Sequence, residues 1–373
     1  MKKLGFGCMR LPLLDEGDQT RVDMEQTKKM VDTFLERGFT YFDTAWMYHD
    51  FQSEIVIREA LVKRYLRDSF QLATKLPTFS LEKEGDAERI FNEQLQKCGV
   101  EYFDYYLLHA LTNNYELTKR FDCFGFIRQK KAEGKIKKIG FSFHDRANLL
   151  DEILTEHPET DFVQLQINYL DWNSESIQSG SCYEVCEKHG KPVIVMEPVK
   201  GGMLAFVPEK AERLMKAYAP DASPTSWALR FAASHQNVMT VLSGMSRYEQ
   251  LDENTRIYQD FSPLCEAEFE IVKAVTKIIQ ESISIPCTGC RYCVAGCPQN
   301  IAIPEYFSLY NAEKQHQANG FSIHTIYYGN YTKHNGKASA CIECKQCEEH
   351  CPQHLPVIQN LKQVAALFEK SNG

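Results

Sequence analysis

The sequence predicts an α/β protein, a (β/α)8 TIM barrel followed by a small, largely helical, cysteine-rich domain. Over about the first 260 residues, eight short β-branched or aromatic runs alternate with longer segments of helical period. Most of those runs lack the strict alternation of a half-exposed strand, as expected of a parallel sheet covered by helices. Further on, CTGCRYCVAGCP (287–298) and CIECKQCEEHCP (341–352) write one cysteine pattern twice.

The strand runs are LGFGC (4–8), FTYF (39–42), FQLAT (70–74), DYYLL (104–108), KKIGF (137–141), FVQLQ (162–166), PVIVM (192–196) and VMTVL (238–242). Between the first two, MEQTKKMVDTFLERG (24–38) puts Met30, Phe34 and Leu35 on one face and ends on Gly38, which suits a helix C-terminus. SEIVIREALVKRYL (53–66), AERIFNEQLQKCG (87–99) and FDCFGFIRQKKAEG (121–134) repeat the form. Eight such units in about 250 residues have the number and size of a (β/α)8 barrel. An open doubly wound sheet is the competing arrangement. GFGCMR lacks the third glycine of the dinucleotide fingerprint, however, and no helix follows it at once. A helix candidate over 266–283 leads into the cysteine region, which sets the domains at 1–282 and 283–373.

With 42 basic and 50 acidic residues the net charge is −8, against the concentrated positive field that nucleic acid or an anionic membrane requires. No stretch approaches the roughly 18 apolar residues of a membrane span. In MKKLGFGCMRLP only four residues separate the lysines from Cys8, too few for the apolar core of a secretion signal. The expected location is the cytoplasm, where disulfides are rare and clustered cysteines read first as metal ligands. Cys8, Cys98, Cys123, Cys182, Cys186 and Cys265 are scattered and read as buried hydrophobes.

Chemistry in such a barrel belongs at the C-terminal strand ends. The second, third and fourth runs lead into FDTAWMYH, ATKLP and LLHA, so Asp43, Tyr48, Lys75 and His109 can share one pocket. Together they make a metal-free proton donor for a carbonyl oxygen. A phenol near its ordinary pKa of about 10 is a poor acid at neutral pH, and the Lys75 ammonium is expected to lower it. Asp43 pairs with Lys75, while His109 hydrogen-bonds the carbonyl oxygen. Singly, each has an ordinary structural explanation: a turn cap, a core tyrosine, a rim ion pair, a satisfied histidine.

With these residues in hand, residues 1 to about 260 resemble an aldo-keto reductase: FDTAWMY is similar to that family's Asp-Thr-Ala-x-x-Tyr signature, and Lys75 and His109 match its remaining catalytic positions. The resemblance implies a barrel that binds NADP(H), with NAD(H) as the alternative, and moves hydride between nicotinamide and a carbonyl or alcohol, Tyr48 acting as general acid. It further implies that Ser142 and Gln164 hold the carboxamide, with Phe143 in place of the usual asparagine. EPVKGG (Glu197, Pro198, Lys200, Gly201, Gly202) is similar to the pyrophosphate loop, and Met196 stands where many relatives have a stacking aromatic. SGMSRYEQLDENTR resembles the adenosine-end motif, with Ser246, Gln250, Glu253 and Asn254 in place. Gly244 and Gln250 replace basic residues of the 2′-phosphate site, leaving Arg247 as the nearest cation. Trp46, Trp172, Phe143 and His144 are expected to rim the substrate pocket.

Each cysteine run is C-x2-C-x2-C-x3-C-P, the bacterial ferredoxin pattern for [4Fe-4S] clusters. In that pattern the fourth cysteine commonly serves the other cluster. Cys287, Cys290, Cys293 and Cys351 are therefore expected to hold one, and Cys341, Cys344, Cys347 and Cys297 the second. Structural zinc does not require a third cysteine per run or the trailing proline. Between Cys297 and Cys341 lie 43 residues, including EYFSLYNAEKQH and HTIYYGNYTKH, which predicts a largely helical two-cluster ferredoxin-like domain.

Three functions follow. The clusters relay single electrons between the barrel and a ferredoxin or flavin carrier; or they are structural or oxygen-sensing and the barrel is a simple carbonyl reductase; or the chain is an electron-transfer or scaffold protein with a vestigial tetrad. The intact tetrad weighs against the last.

Overall fold

In the computed structural model, residues 2–15, 17–112, 115–174, 177–315 and 323–369 are described. Eight parallel strands close a barrel in sequence order: β1 Leu4–Gly7, β2 Tyr41–Asp43, β3 Gln71–Leu76, β4 Phe103–Leu111, β5 Ile136–Phe143, β6 Phe162–Gln166, β7 Val193–Met196 and β8 Val238–Gly244. All eight coincide with the predicted runs, and β1 pairs with β8 to complete the ring.

Both faces of the strands are buried, which is why the sequence runs are nearly continuously apolar. Inward, Tyr41, Ala73, Tyr105, Leu107, Phe162, Ile194 and Leu242 fill the barrel, with Tyr105 set edge-on between Tyr41 and Phe162 at 5.0 and 5.2 Å. Outward, Phe6 and Phe42 meet Phe34 of the helix Met24–Glu36 at 5.4 and 5.2 Å. Each fully buried ring of this kind contributes roughly 2–3 kcal/mol by area.

The chain groups into two compact units. One comprises Met1–Ser174, Gln178–Val199 and Thr225–Phe269; the other comprises Glu175–Ile177, Lys200–Pro224 and Glu270–Gly373. The second has its own core of Ile285, Ile301, Ile303, Tyr306, Phe307, Tyr328, Leu361 and Val364, among others. It is carried on the helices Ile303–Gln315, Ile323–Tyr331 and Val357–Phe368. The helical, aromatic insert expected between the cysteine runs is thus part of this core, with Tyr306 and Tyr328 rings 4.7 Å apart. Among the described residues no helix is long and apolar enough to cross a membrane.

Candidate active site and cysteine cavities

The barrel site is the last inward layer of side chains. A strand presents every second residue to one face, so the residue two beyond each core position emerges at the C-terminal mouth: Asp43 after Tyr41, Lys75 after Ala73, His109 after Leu107, Gln164 after Phe162, Gly244 after Leu242. Ser142 of β5 pairs with Gln164 of β6 in register.

Lys75 is 1% exposed and Asp43 3%. The Lys75 ammonium donates to Asp43 Oδ1 at 2.5 Å and to the Thr44 carbonyl at 2.8 Å. Tyr48 Oη lies 3.4 Å from the same nitrogen. Gln164 donates its amide to the other Asp43 oxygen at 3.2 Å. Since a carboxylate only accepts, this contact leaves the Gln164 carbonyl oxygen for another donor. The His109 ring stands edge-on to Tyr48 at 6.0 Å, and its Nδ1 is buried with no hydrogen-bond partner among the described residues.

The electrostatics correct one expectation. Tyr48 is held well above the ordinary phenol value, by burial first and then by the charges of Asp43, Cys8 and Glu197, with Arg10 opposing. Lys75 does not prevail because its charge is largely spent on Asp43, whose own carboxyl is pushed up by burial and drawn down by Lys75. Tyr48 therefore carries its proton at neutral pH. His109 is held well below the usual imidazole range by burial, Lys75 and His144, so it is neutral there.

Several supports were not legible in the sequence. Ala110, with φ 54°, sits in a bulge where β4 shifts register against β5; its N–H donates to Ser142 Oγ at 2.8 Å, tying the bulge beside His109 to the neighbouring strand. Gln94 donates to the Lys75 carbonyl at 3.0 Å and to Glu54 at 2.8 Å and accepts from Tyr106 at 2.6 Å, a buried network behind Lys75. After Tyr48, His49, Asp50 and Phe51 are all left-handed; His49 accepts from Leu11 N–H at 3.1 Å, which fastens the turn to the segment after β1. Arg10, also past β1, bears on Tyr48. Its stem runs along Gly244, where a Cβ would come 3.2 Å from it. Its position after a strand, like that of Asp43 and Lys75, is the signal that could have singled it out.

The expected cofactor positions divide between the two units. Glu197 and Pro198 stand just past β7, where Asn168 donates to the Glu197 carbonyl at 3.1 Å. Gly244, Ser246 and Arg247 are exposed before the helix Tyr248–Gln259, and Gln250 accepts from the N–H groups of Ser246 and Arg247 at 2.8 and 3.2 Å. Asn254 donates to Ser243 at 3.0 Å. Lys200, Gly201 and Gly202 belong to the second unit. Of the aromatics expected at the rim, Trp172 lies instead in the helical shell, stacked on His235 at 4.0 Å beside Phe231 and Tyr183. Trp46 packs on Phe51 at 4.6 Å, and Phe143 is buried against Phe141.

The eight clustered cysteines line two cavities. Cys287, Cys290, Cys293 and Cys351 share one with Thr288, Gln353 and Phe307. Cys297, Cys341, Cys344 and Cys347 share the other with Ile301, Ile342 and Leu361. Each cavity thus takes three cysteines from one run and the fourth from the other. Among the described residues, no three His, Cys, Asp or Glu side chains are grouped to hold one metal ion; the thiols are spread round cavity walls.

The sequence profile of the aldo/keto reductase family matches residues 3–277, and that of a 4Fe-4S dicluster domain matches residues 286–355. An uncharacterized oxidoreductase of Bacillus subtilis is 24% identical over 307 residues, which is 74% of this chain and 93% of the relative. The NADH-specific methylglyoxal reductase of Escherichia coli is 24% identical over 60% of this chain and 81% of its own. Among solved structures, an aldo-keto reductase from Bacillus halodurans (TM-score 0.58, 24% identity, 73% of this chain and 91% of that one) shares the barrel fold. So does one from Klebsiella pneumoniae in complex with NADP and acetate (TM-score 0.58, 20%, 74% and 91%). The closed eight-stranded barrel and the profile match over most of its length agree: the chain belongs to the aldo/keto reductase family of oxidoreductases and carries a 4Fe-4S domain after the barrel.

Proposed function

We propose that the barrel catalyses NAD(P)H-dependent reduction of a small-molecule carbonyl, or the reverse oxidation of an alcohol, with Tyr48 as proton donor, and that the cysteine region of residues 283–373 holds two [4Fe-4S] clusters. The observation that carries this is the convergence of a protonated Tyr48, the Lys75–Asp43 pair and a neutral His109 on one mouth. Tyr48 gives its proton to the substrate oxygen, and Lys75 stands close enough to steady the phenolate that forms. His109, uncharged, offers one hydrogen bond to that oxygen without competing for the proton.

A bound nicotinamide would supply or accept the hydride. Ser142 and the carbonyl oxygen of Gln164 suit its carboxamide, and Ser246 and Arg247 at a helix N-terminus suit a phosphate. The NADP complex of the Klebsiella relative and the exposed Arg247 favour NADP(H). The NADH specificity named for the E. coli relative keeps NAD(H) as the alternative.

Thiols spread round a cavity suit a cube whose irons each take one thiolate, and two cavities with four cysteines each suit two groups of one kind. Such clusters supply single electrons, whereas nicotinamide carries two at once, so the reading includes a ferredoxin or flavin carrier as partner. Tyr48→Phe is expected to lower carbonyl reduction by roughly 10²–10⁴-fold with iron content unchanged; wild-type turnover in the variant would refute the assignment. Anaerobic metal analysis is expected to return about eight irons per chain and no stoichiometric zinc.

A further inference from the structure

Lys200 follows β7 in sequence, yet it lies in the compact unit of the cysteine loops. It is 2% exposed, and its ammonium donates to Gln353 Oε1 at 2.7 Å. Gln353 lines the first cavity with Cys287, Thr288 and Cys351. The next residue, Gly201, has φ 65°, and a Cβ there would come 2.3 Å from the Thr288 carbonyl oxygen. Only glycine lets the backbone run so close to the cavity loop. Through Gln353 and Thr288, Lys200 and its loop thus meet the wall of the cavity that Cys287 and Cys351, one cysteine from each run, also line.

Arg291 also lines the first cavity; apart from its cysteines, none of the described side chains lining the second is ionisable.

We propose that Lys200 is a redox-tuning residue: its buried ammonium raises the reduction potential of the cluster held by Cys287, Cys290, Cys293 and Cys351 above that of the cluster held by Cys297, Cys341, Cys344 and Cys347. Reduction adds one electron and one negative charge to a cluster, with no bond made or broken, and a fixed cation beside it favours the reduced form. This rests on the two-cluster reading above, and it gives Lys200 a partner other than the pyrophosphate that the family resemblance implied.

The experiment is an anaerobic dithionite titration of the full chain with redox mediators, followed by EPR, on the wild type, Lys200→Gln, Lys200→Arg and Gln353→Glu. Wild-type protein is expected to show two cluster signals that reduce at different potentials. Lys200→Gln is expected to shift the higher one downward by about tenfold in the reduced-to-oxidised ratio, about 59 mV for a one-electron couple, with the other unmoved and Lys200→Arg near wild type. Gln353→Glu, which sets a carboxylate against the ammonium, is expected to shift the same signal the same way, and it decides the matter if Lys200→Gln fails to retain iron. Unmoved midpoints in iron-replete variants overturn the inference, all the more if Lys200→Gln weakens NADPH binding instead. A wild type with only one cluster signal, or with about four irons, overturns the two-cluster reading itself.

Discussion

At the barrel mouth, Asp43, Lys75, His109 and Gln164 sit on strands paired on both sides, and the first, second and fourth are joined in one Lys75–Asp43–Gln164 hydrogen-bonded chain. In the cysteine region the thiols lie on loops and short turns. Gly289, Arg291, Asn300, Glu343, Lys345 and His354 there take left-handed conformations, and Cys344 is exposed. One site is preorganised by a closed sheet and an internal charge pair. The other is a set of thiols packed on a small apolar core. The difference teaches where single substitutions act: on a charge network in the barrel, on local anchors in the cysteine region.

The largest expected stability effect is therefore at Lys75. Lys75→Met leaves Asp43 buried without its cation and is expected to destabilise the barrel by about 3–5 kcal/mol in denaturant unfolding; a loss under about 1 kcal/mol would break the contrast. Next is Glu54, whose carboxyl is pushed up to about 7 by burial, against hydrogen bonds from Thr74 and Gln94. Between pH 4.5, the ordinary value, and 7 the folded chain keeps a proton that the unfolded chain has released. Stability from this group is thus complete below that window and falls as pH rises through it, by at most roughly 3 kcal/mol. Glu54→Gln is expected to flatten this slope in unfolding curves taken across the window; an unchanged slope would place the titration elsewhere. Smallest is an anchor of the cysteine region, where Tyr328 donates to Glu369 at 2.5 Å and accepts from Ala338 N–H at 2.9 Å. Tyr328→Phe is expected to lower its unfolding free energy by about 1–2 kcal/mol without altering carbonyl reduction, and a fall in that activity would mean the two regions do not fail separately.

The eight strands and the meeting of Asp43, Lys75 and His109 at one end of the barrel were legible because both are written locally: a strand shows as a run, and these three residues follow their runs within a residue or two. The Gln94–Glu54–Tyr106 network was not, because its members belong to different elements and nothing in their spacing forecasts contact. Trp172 was misjudged for the same reason: its place after β6 matched the mouth, but the apolar seam near Phe231 and the face of His235 offered its ring more contact. Lys200 illustrates a subtler limit, since EPVKGG reads as one loop while the fold assigns its halves to different compact units. The effect of Lys75 on Tyr48 failed for an electrostatic reason, in that residue types fix the sign of a charge but burial and the nearest counter-ion decide how much of it remains.

The bulge at Ala110 means that the site is stored as a length as well as a set of identities. Two β4 residues, His109 and Ala110, stand where β5 has only Ser142, between the Leu108–Phe141 and Leu111–Phe143 pairs. The surplus amide is what engages the serine hydroxyl. Deleting Ala110 would leave Asp43, Tyr48, Lys75 and His109 in the chain yet close the ladder and release Ser142. Strand ends usually tolerate such indels; this one is expected to behave like an active-site mutation, and a descendant could lose the activity with its signature intact.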